Sequence, residues 1–244
     1  MKKRLCILAI ALVTTGTVLA QDNDFGIWTN IGAEKKLGNW GIGLEAEYRT
    51  RDNSGTSDRW SWGLKGSYKL NKYVKFDAGY TLLYDNNHKL TYHDDGSINK
   101  EANFWGLRHR VFASVTGSYK VNNWTFSLRE RWQYTYRPEK TISERYDYDQ
   151  EDYDGEPKTY SGKGKNVLRS RLQAAYSIGK TGLEPYANVE LYNSWGIDKV
   201  RYTAGIEWDI NKHHEVELYY RYQDPHDSDE SKIHILGLGY QFKF

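Results

Sequence analysis

From Phe25 to the last residue the chain alternates apolar and polar positions with a period of two, the signature of strands with unlike faces. The final stretch, Ile235 to Phe244, shows it most cleanly. Leu236, Leu238, Tyr240, Phe242 and Phe244 share one face, while Gly237, Gly239, Gln241 and Lys243 share the other. A soluble sheet seldom leaves such an apolar strand at its edge. In a closed transmembrane barrel it has lipid on one side and paired neighbours at both edges. Further upstream, Trp40, Ile42, Leu44, Ala46 and Tyr48 alternate with Gly41, Gly43, Glu45, Glu47 and Arg49. The same period recurs through Trp60–Tyr68, Val74–Tyr84, Trp105–Tyr119, Trp124–Tyr136, Leu168–Ile178, Leu183–Leu191, Val200–Trp208 and Val216–Tyr222.

Short turn signals at Gly38-Asn39, Asn71-Lys72, Asn122-Asn123, Gly179–Gly182 and Asn211–His213 alternate with longer polar loops. Those loops are Arg51–Asp58, Asp85–Asn103, Pro138–Asn166, Asn193–Lys199 and Asp224–Ser231. Short periplasmic turns and longer extracellular loops are the pattern of an outer-membrane barrel. The pattern predicts an all-β fold, a transmembrane antiparallel up-and-down β-barrel of about 10–12 strands. The direct count is eleven. Because bacterial barrels usually have an even number, ten and twelve are the expected alternatives. Pro185, inside a strand and without an N–H, predicts a bulge.

Lys2, Lys3 and Arg4 precede an apolar run from Leu5 to Val13, then small residues ending Val-Leu-Ala at Ala20. This predicts a signal peptide over residues 1–20, cleaved after Ala20, and a barrel domain over 21–244. Cys6, the sole cysteine, leaves with the signal. Loss of three basic residues turns a net charge of +2 into about −1, which offers nucleic acid no purchase. Mean hydropathy is −0.82, a low value expected when each lipid-facing residue is followed by a lumen-facing polar one. The 21 Tyr and 9 Trp gather near strand ends, as interfacial aromatic girdles do.

Several stretches carry a family resemblance. They include Asp24-Phe25-Gly26-Ile27-Trp28, Glu34-Lys35-Lys36, Leu44–Thr50, Arg108-His109-Arg110, Leu128-Arg129-Glu130-Arg131, Tyr134–Lys140 and the Tyr-Gln-Phe-Lys-Phe ending. Together they resemble the outer-membrane family filed as domain of unknown function 2490. The resemblance implies an outer-membrane barrel and brings no activity with it. Tyr240, Phe242 and Phe244 also resemble the terminal signal by which barrel assembly machinery recognises its clients.

Chemistry is confined to the lumen face. Arg108, Arg110, Arg129, Arg131, Arg169 and Arg171 point inward from three consecutive strands. Glu45, Glu47, Glu190, Glu207, Glu215 and Glu217 point inward from others, with Arg49, Arg201 and Arg221 among them. A basic wall facing an acidic one reads either as a salt-bridge network that seals a structural or binding barrel, or as a narrow porin-like channel. The alternative is a pore selective for anionic solutes such as acidic oligosaccharides, since Arg forks bind carboxylates bidentately. An outer-membrane lipid hydrolase is a lesser reading. It rests on His109 and Glu130 facing lipid, and Val111 stands where that family has its serine. Gln150–Gly155 is a poor calcium loop, and His213-His214 lacks the ligands structural zinc requires. The sequence predicts a non-enzymatic protein with no metal or cofactor, and outer-membrane lipid and anionic solutes as its partners.

Overall fold

A computed structural model describes residues 23–227 and 230–244; the segment expected to be a signal peptide, residues 1–20, lies outside them. Eleven long strands build the barrel. They are β1 (Asn23–Leu37), β2 (Trp40–Arg51), β3 (Thr56–Lys69), β4 (Val74–Tyr92), β5 (Ile98–Val121) and β6 (Trp124–Arg137), then β11 (Lys163–Tyr176), β12 (Leu183–Asn193), β13 (Ile197–Asp209), β14 (His214–Pro225) and β15 (Lys232–Lys243). Between β6 and β11 lie four short strands, β7 (Lys140–Ile142), β8 (Tyr146–Asp147), β9 (Asp152–Tyr153) and β10 (Lys158–Tyr160).

Each long strand pairs antiparallel with its sequence neighbour, and the wall closes where β1 meets β15. That closing pair is parallel, running from Asn23↔Lys232 to Glu34↔Lys243. Eleven is therefore the strand number, neither ten nor twelve, and the barrel is not wholly antiparallel. The reason is topological. An odd count of up-and-down strands leaves the first and last running the same way, so β1 begins at the same end as the long loops.

The expected faces are those observed. Ile31, Leu44, Trp62, Leu128, Leu172 and Leu238 are among the apolar side chains exposed on the outer wall. Aromatic pairs mark both rims. Trp40 against Tyr68 at 4.6 Å and Trp124 against Tyr176 at 4.9 Å sit at the turn end. Tyr48 against Trp60 at 4.4 Å and Tyr84 against Trp105 at 4.9 Å sit toward the loop end. Gly38 adopts a φ of 63°, the conformation that lets a two-residue turn follow the twist of its strands. In the longer turns the side chains of Asn71 and Asn211 each accept two backbone N–H bonds, at 2.8–3.0 Å.

Two expectations need correction. Pro185 makes no bulge; its pairing with Ile206 is in register, and the β12–β13 shift falls at Tyr192/Asn193. Leu183 accepts the Ile178 N–H, so Pro185, two residues on, faces the β11 side, where the ladder has ended at Ala175↔Tyr186. The absent N–H removes no bond there. Secondly, most of Asp85–Asn103 is strand rather than loop. β4 and β5 have 19 and 24 residues, against the roughly 9–11 that cross a bilayer, and they project as a hairpin past the rim. Both faces are polar there, so the alternation that marks a strand at a lipid surface fades.

The long loop is stitched to that hairpin. β8 adds to the free edge of β5 through Lys100↔Asp147 and Glu101↔Tyr146. Asp154 Oδ1 accepts the N–H groups of Arg145 and Glu156 at 3.0 and 3.1 Å. Its Oδ2 accepts from Arg145 Nη2 at 2.8 Å and Lys100 Nζ at 3.0 Å. A carboxyl so occupied by cations has little to offer calcium. The Arg145 N–H, the Lys100 ammonium and the Glu156 N–H hold the Asp154 carboxyl well below the usual carboxylate range, against the opposing effect of burial. A depressed pKa gives a stitch fully formed above the ordinary Asp value of about 4 and lost only as pH falls through the lower folded value. Amide-exchange protection at Arg145 and Glu156, corrected for intrinsic rates, should therefore survive below pH ~4 and vanish at neutral pH in Asp154→Asn. Loss of protection in the wild type near the ordinary Asp value would contradict this assignment.

Candidate functional site: a charged lumen

Because side chains alternate, the strand phase that aims the leucines outward aims the charges at the axis. All six arginines expected to form a basic wall (Arg108, Arg110, Arg129, Arg131, Arg169 and Arg171) line one cavity of about 770 Å³. Fifteen Lys and Arg side chains border it against five carboxylates. Arg49, Arg59, Arg201, Arg221, Lys163, Lys165 and Lys199 belong to this border, beyond the six first singled out.

The acidic wall is only partly where alternation placed it. Glu45, Glu47 and Glu217 line the cavity. Glu190 is buried beside the basic wall rather than across from it, opposite Arg171 in the β11–β12 ladder. It binds the Arg129 guanidinium through one oxygen and Arg169 Nη2, at 2.7 Å, through the other. Glu47 forks onto Arg49 on its own strand, at 2.7 and 2.8 Å. Glu207 and Glu215 lie below the cavity. With Glu184 and Glu217 they fall within the first four residues of the turn ends of β12, β13 and β14. Glu207 stands directly opposite both Glu184 and Glu217. Ser177 donates to Glu184 at 2.6 Å, Tyr186 donates to Glu217, and Lys243 bonds Glu215 at 2.6 Å and Asp209 at 2.8 Å. Charge thus separates along the barrel axis as well as across it, acidic at the turn end and basic from mid-barrel to the loop end.

Aromatic side chains pack inside the lumen beside the cavity. Trp28, Tyr186 and Tyr219 pack with Ala175 and Ile235 into an internal apolar cluster. The Arg49 guanidinium lies 3.7 Å from the centre of the Trp28 ring, with Arg201 and Arg221 at 5.0 and 5.2 Å. Arg169 and Arg201 stack on Tyr192 at 4.5 and 4.6 Å. Such contacts hold guanidinia in place without neutralising them. Gly237 makes the packing possible, since a Cβ there would lie 2.0 Å from the Tyr219 ring. Sequence reading passed over Trp28, although its even position, in phase with Glu34, was the available signal.

The ionisable groups on the outer face do not meet. His109 shares a hydrogen bond with the Tyr80 hydroxyl at 2.7 Å, and Glu130 accepts one from Ser170 at 2.6 Å. In the β5–β6 ladder His109 faces Tyr136 and Glu130 faces Val115, six residues and about 20 Å apart along the strand. At the C-terminus, Tyr240 bonds His214 at 2.7 Å, Phe242 packs on the same imidazole, and Phe244 remains exposed at the rim. No group of three His, Cys, Asp or Glu able to hold a metal occurs among the described residues.

These features define a closed, outer-membrane-type β-barrel with a charged, partly filled lumen. The chain belongs to the family described as "Protein of unknown function (DUF2490)", whose model matches residues 25–233. Among solved structures it is similar to the beta domain of the Bordetella autotransporter Brka, with a TM-score of 0.53 and 17% identity over 86% of each chain. At that identity the likeness concerns the fold. No curated protein matches the chain.

The two kinds of arginine differ in what they support. Glu190→Gln should leave Arg129 and Arg169 facing each other's charge without a counter-ion, at a cost of roughly 3 kcal/mol in urea unfolding. Arg171→Gln, which breaks no ion pair among the described residues, should cost under about 1 kcal/mol. Equal destabilisation by both would show that Glu190 is not the keystone of the wall.

Proposed function

We propose that this protein is a non-enzymatic outer-membrane barrel whose lumen admits and selects small anionic solutes. The observation that carries the reading is the imbalance at the cavity, fifteen cations against five carboxylates on its border and two more, Glu190 and Asp85, paired to border arginines from behind it. A sealing salt-bridge network needs near parity, because buried charge without a partner is costly. Among the described residues, Arg131 and Arg171 have no carboxylate partner, and the Nε of each is buried without a hydrogen-bond acceptor. An anion entering from the loop end supplies what they lack, and low-dielectric walls focus their field on it. In this reading the loops face outward, lipid covers the apolar belt, and assembly machinery recognises Tyr240, Phe242 and Phe244. The acidic turn end favours a second reading, a binding barrel closed toward the periplasm, in which solute enters and leaves by the same mouth.

Reversal potentials across a planar bilayer under a salt gradient test the channel. The wild type should prefer anions. The double variant Arg131→Gln/Arg171→Gln should shift toward cations with little change in urea melting. A silent wild type paired with a softened variant would remove the channel reading and leave the closed barrel. Orientation has its own check. A tag between Gly155 and Glu156 should be labelled on intact cells, whereas one at Lys72 should require permeabilisation; the reverse pattern overturns the assignment of outside and inside.

A further inference from the structure

β6 and β11 set like charges directly opposite one another on the lumen face, at Arg129↔Arg171, Arg131↔Arg169 and Arg137↔Lys163. Directly opposed like charges destabilise a ladder, and here three such rungs border one cavity. Glu190 neutralises one member of each lower rung, Arg129 and Arg169. What remains is Arg171 on the lowest rung, Arg131 on the next, and both Arg137 and Lys163 at the top. Among the described residues none of these four meets a carboxylate, and Arg131, Arg137 and Arg171 each keep a buried Nε without an acceptor. The residual charge is therefore a column that starts on β11, crosses to β6 and ends on both strands at the loop end.

The spacing of that column selects the shape of its ligand. The two lower rungs are two residues apart, about 6.7 Å along a strand and, at the usual barrel tilt, about 5 Å along the axis, and the top rung lies six residues further on, roughly 20 Å along the strand and about 15 Å along the axis. From Arg129 to Arg137 the column runs roughly 27 Å along β6. A single small anion would satisfy one rung and leave the others bare. We propose, on the basis of the anion-selective lumen above, that the β6–β11 column is a binding track for a linear polyanion with about one acidic group per sugar-sized repeat. Its chain would lie along the barrel axis with neighbouring carboxylates on Arg171 and Arg131 and, in a longer chain, another about three repeats further on at the Arg137/Lys163 rung. Phe112, whose ring carries the Arg131 guanidinium at 4.3 Å, gives that rung a fixed apolar backing.

Current block and calorimetric titration of the full-length protein in detergent or bilayer, with galacturonic acid, its linear trimer and an uncharged glucose trimer as probes, decide the matter. The acidic trimer should bind at least about tenfold more tightly than the monomer, and the neutral trimer should not register. Arg131→Gln should cost the trimer about tenfold, the worth of one charge-assisted contact, and the monomer much less. Arg131→Lys, which keeps the charge and guards against a folding artefact, should retain part of the trimer's advantage. Equal affinity for monomer and trimer in an anion-selective barrel would overturn the track and leave the lumen as a site for small anions. An absence of both anion preference and binding would instead overturn the lumen reading itself.

Discussion

Closure is the constraint on which the rest depends. In hydrocarbon an unpaired backbone N–H or C=O finds no water, so a sheet spans a bilayer only when its last edge is joined to its first. Here eleven strands must close, and the closure has to be parallel. The seam draws β1 inward beside β15, and Trp28 projects from it into the lumen, where Tyr219 lies over Gly237. The internal cluster that narrows the barrel thus lies where the unusual pairing is made. The polar cavity adjoins this cluster, with Tyr219 in its border and most of its cations on β2, β3, β5, β6 and β11.

Within that cavity two kinds of arginine coexist. Some are fixed by partners, Arg49 by Glu47 and Trp28, Arg129 and Arg169 by Glu190. Others are supported by packing but not neutralised, as Arg131 is on Phe112. The first group makes the wall rigid, and the second leaves a positive potential inside it. A barrel built only for stability would be expected to pair the second group as well, since a guanidinium away from water is costly when it has no counter-ion. The acidic residues that might have done so sit at the turn end, bound to Ser177, Tyr186 and Lys243.

Beyond the rim a different balance operates. Water is available there, so the β4–β5 hairpin and the long loop need not bury apolar surface. They are ordered by local polar contacts, with Asp154 accepting from Arg145, Lys100 and Glu156. Tyr160 stacks on Phe104 at 5.1 Å, which fixes the base of the loop against the inner side of the hairpin. The entrance to the lumen is therefore bordered by an ordered structure rather than by open chain.

Alternation alone determined the barrel, its apolar outer face, the turn positions and the inward direction of all twelve charged side chains first named, because a two-residue period permits only two directions. It even yielded eleven strands, a count resisted only because even numbers are usual. Pairing across space lay beyond it. Glu190 and Glu217 are equivalent in the sequence, each an inward carboxylate two residues from an inward tyrosine. Register sets one against Arg129 and Arg169 and the other against Glu207. The projecting hairpin was likewise hidden, since strands outside the lipid have no reason to alternate. What only the tertiary structure decided is how high on the barrel each charge sits. That height depends on where neighbouring strands begin relative to one another, a property of the closed sheet and of no single segment.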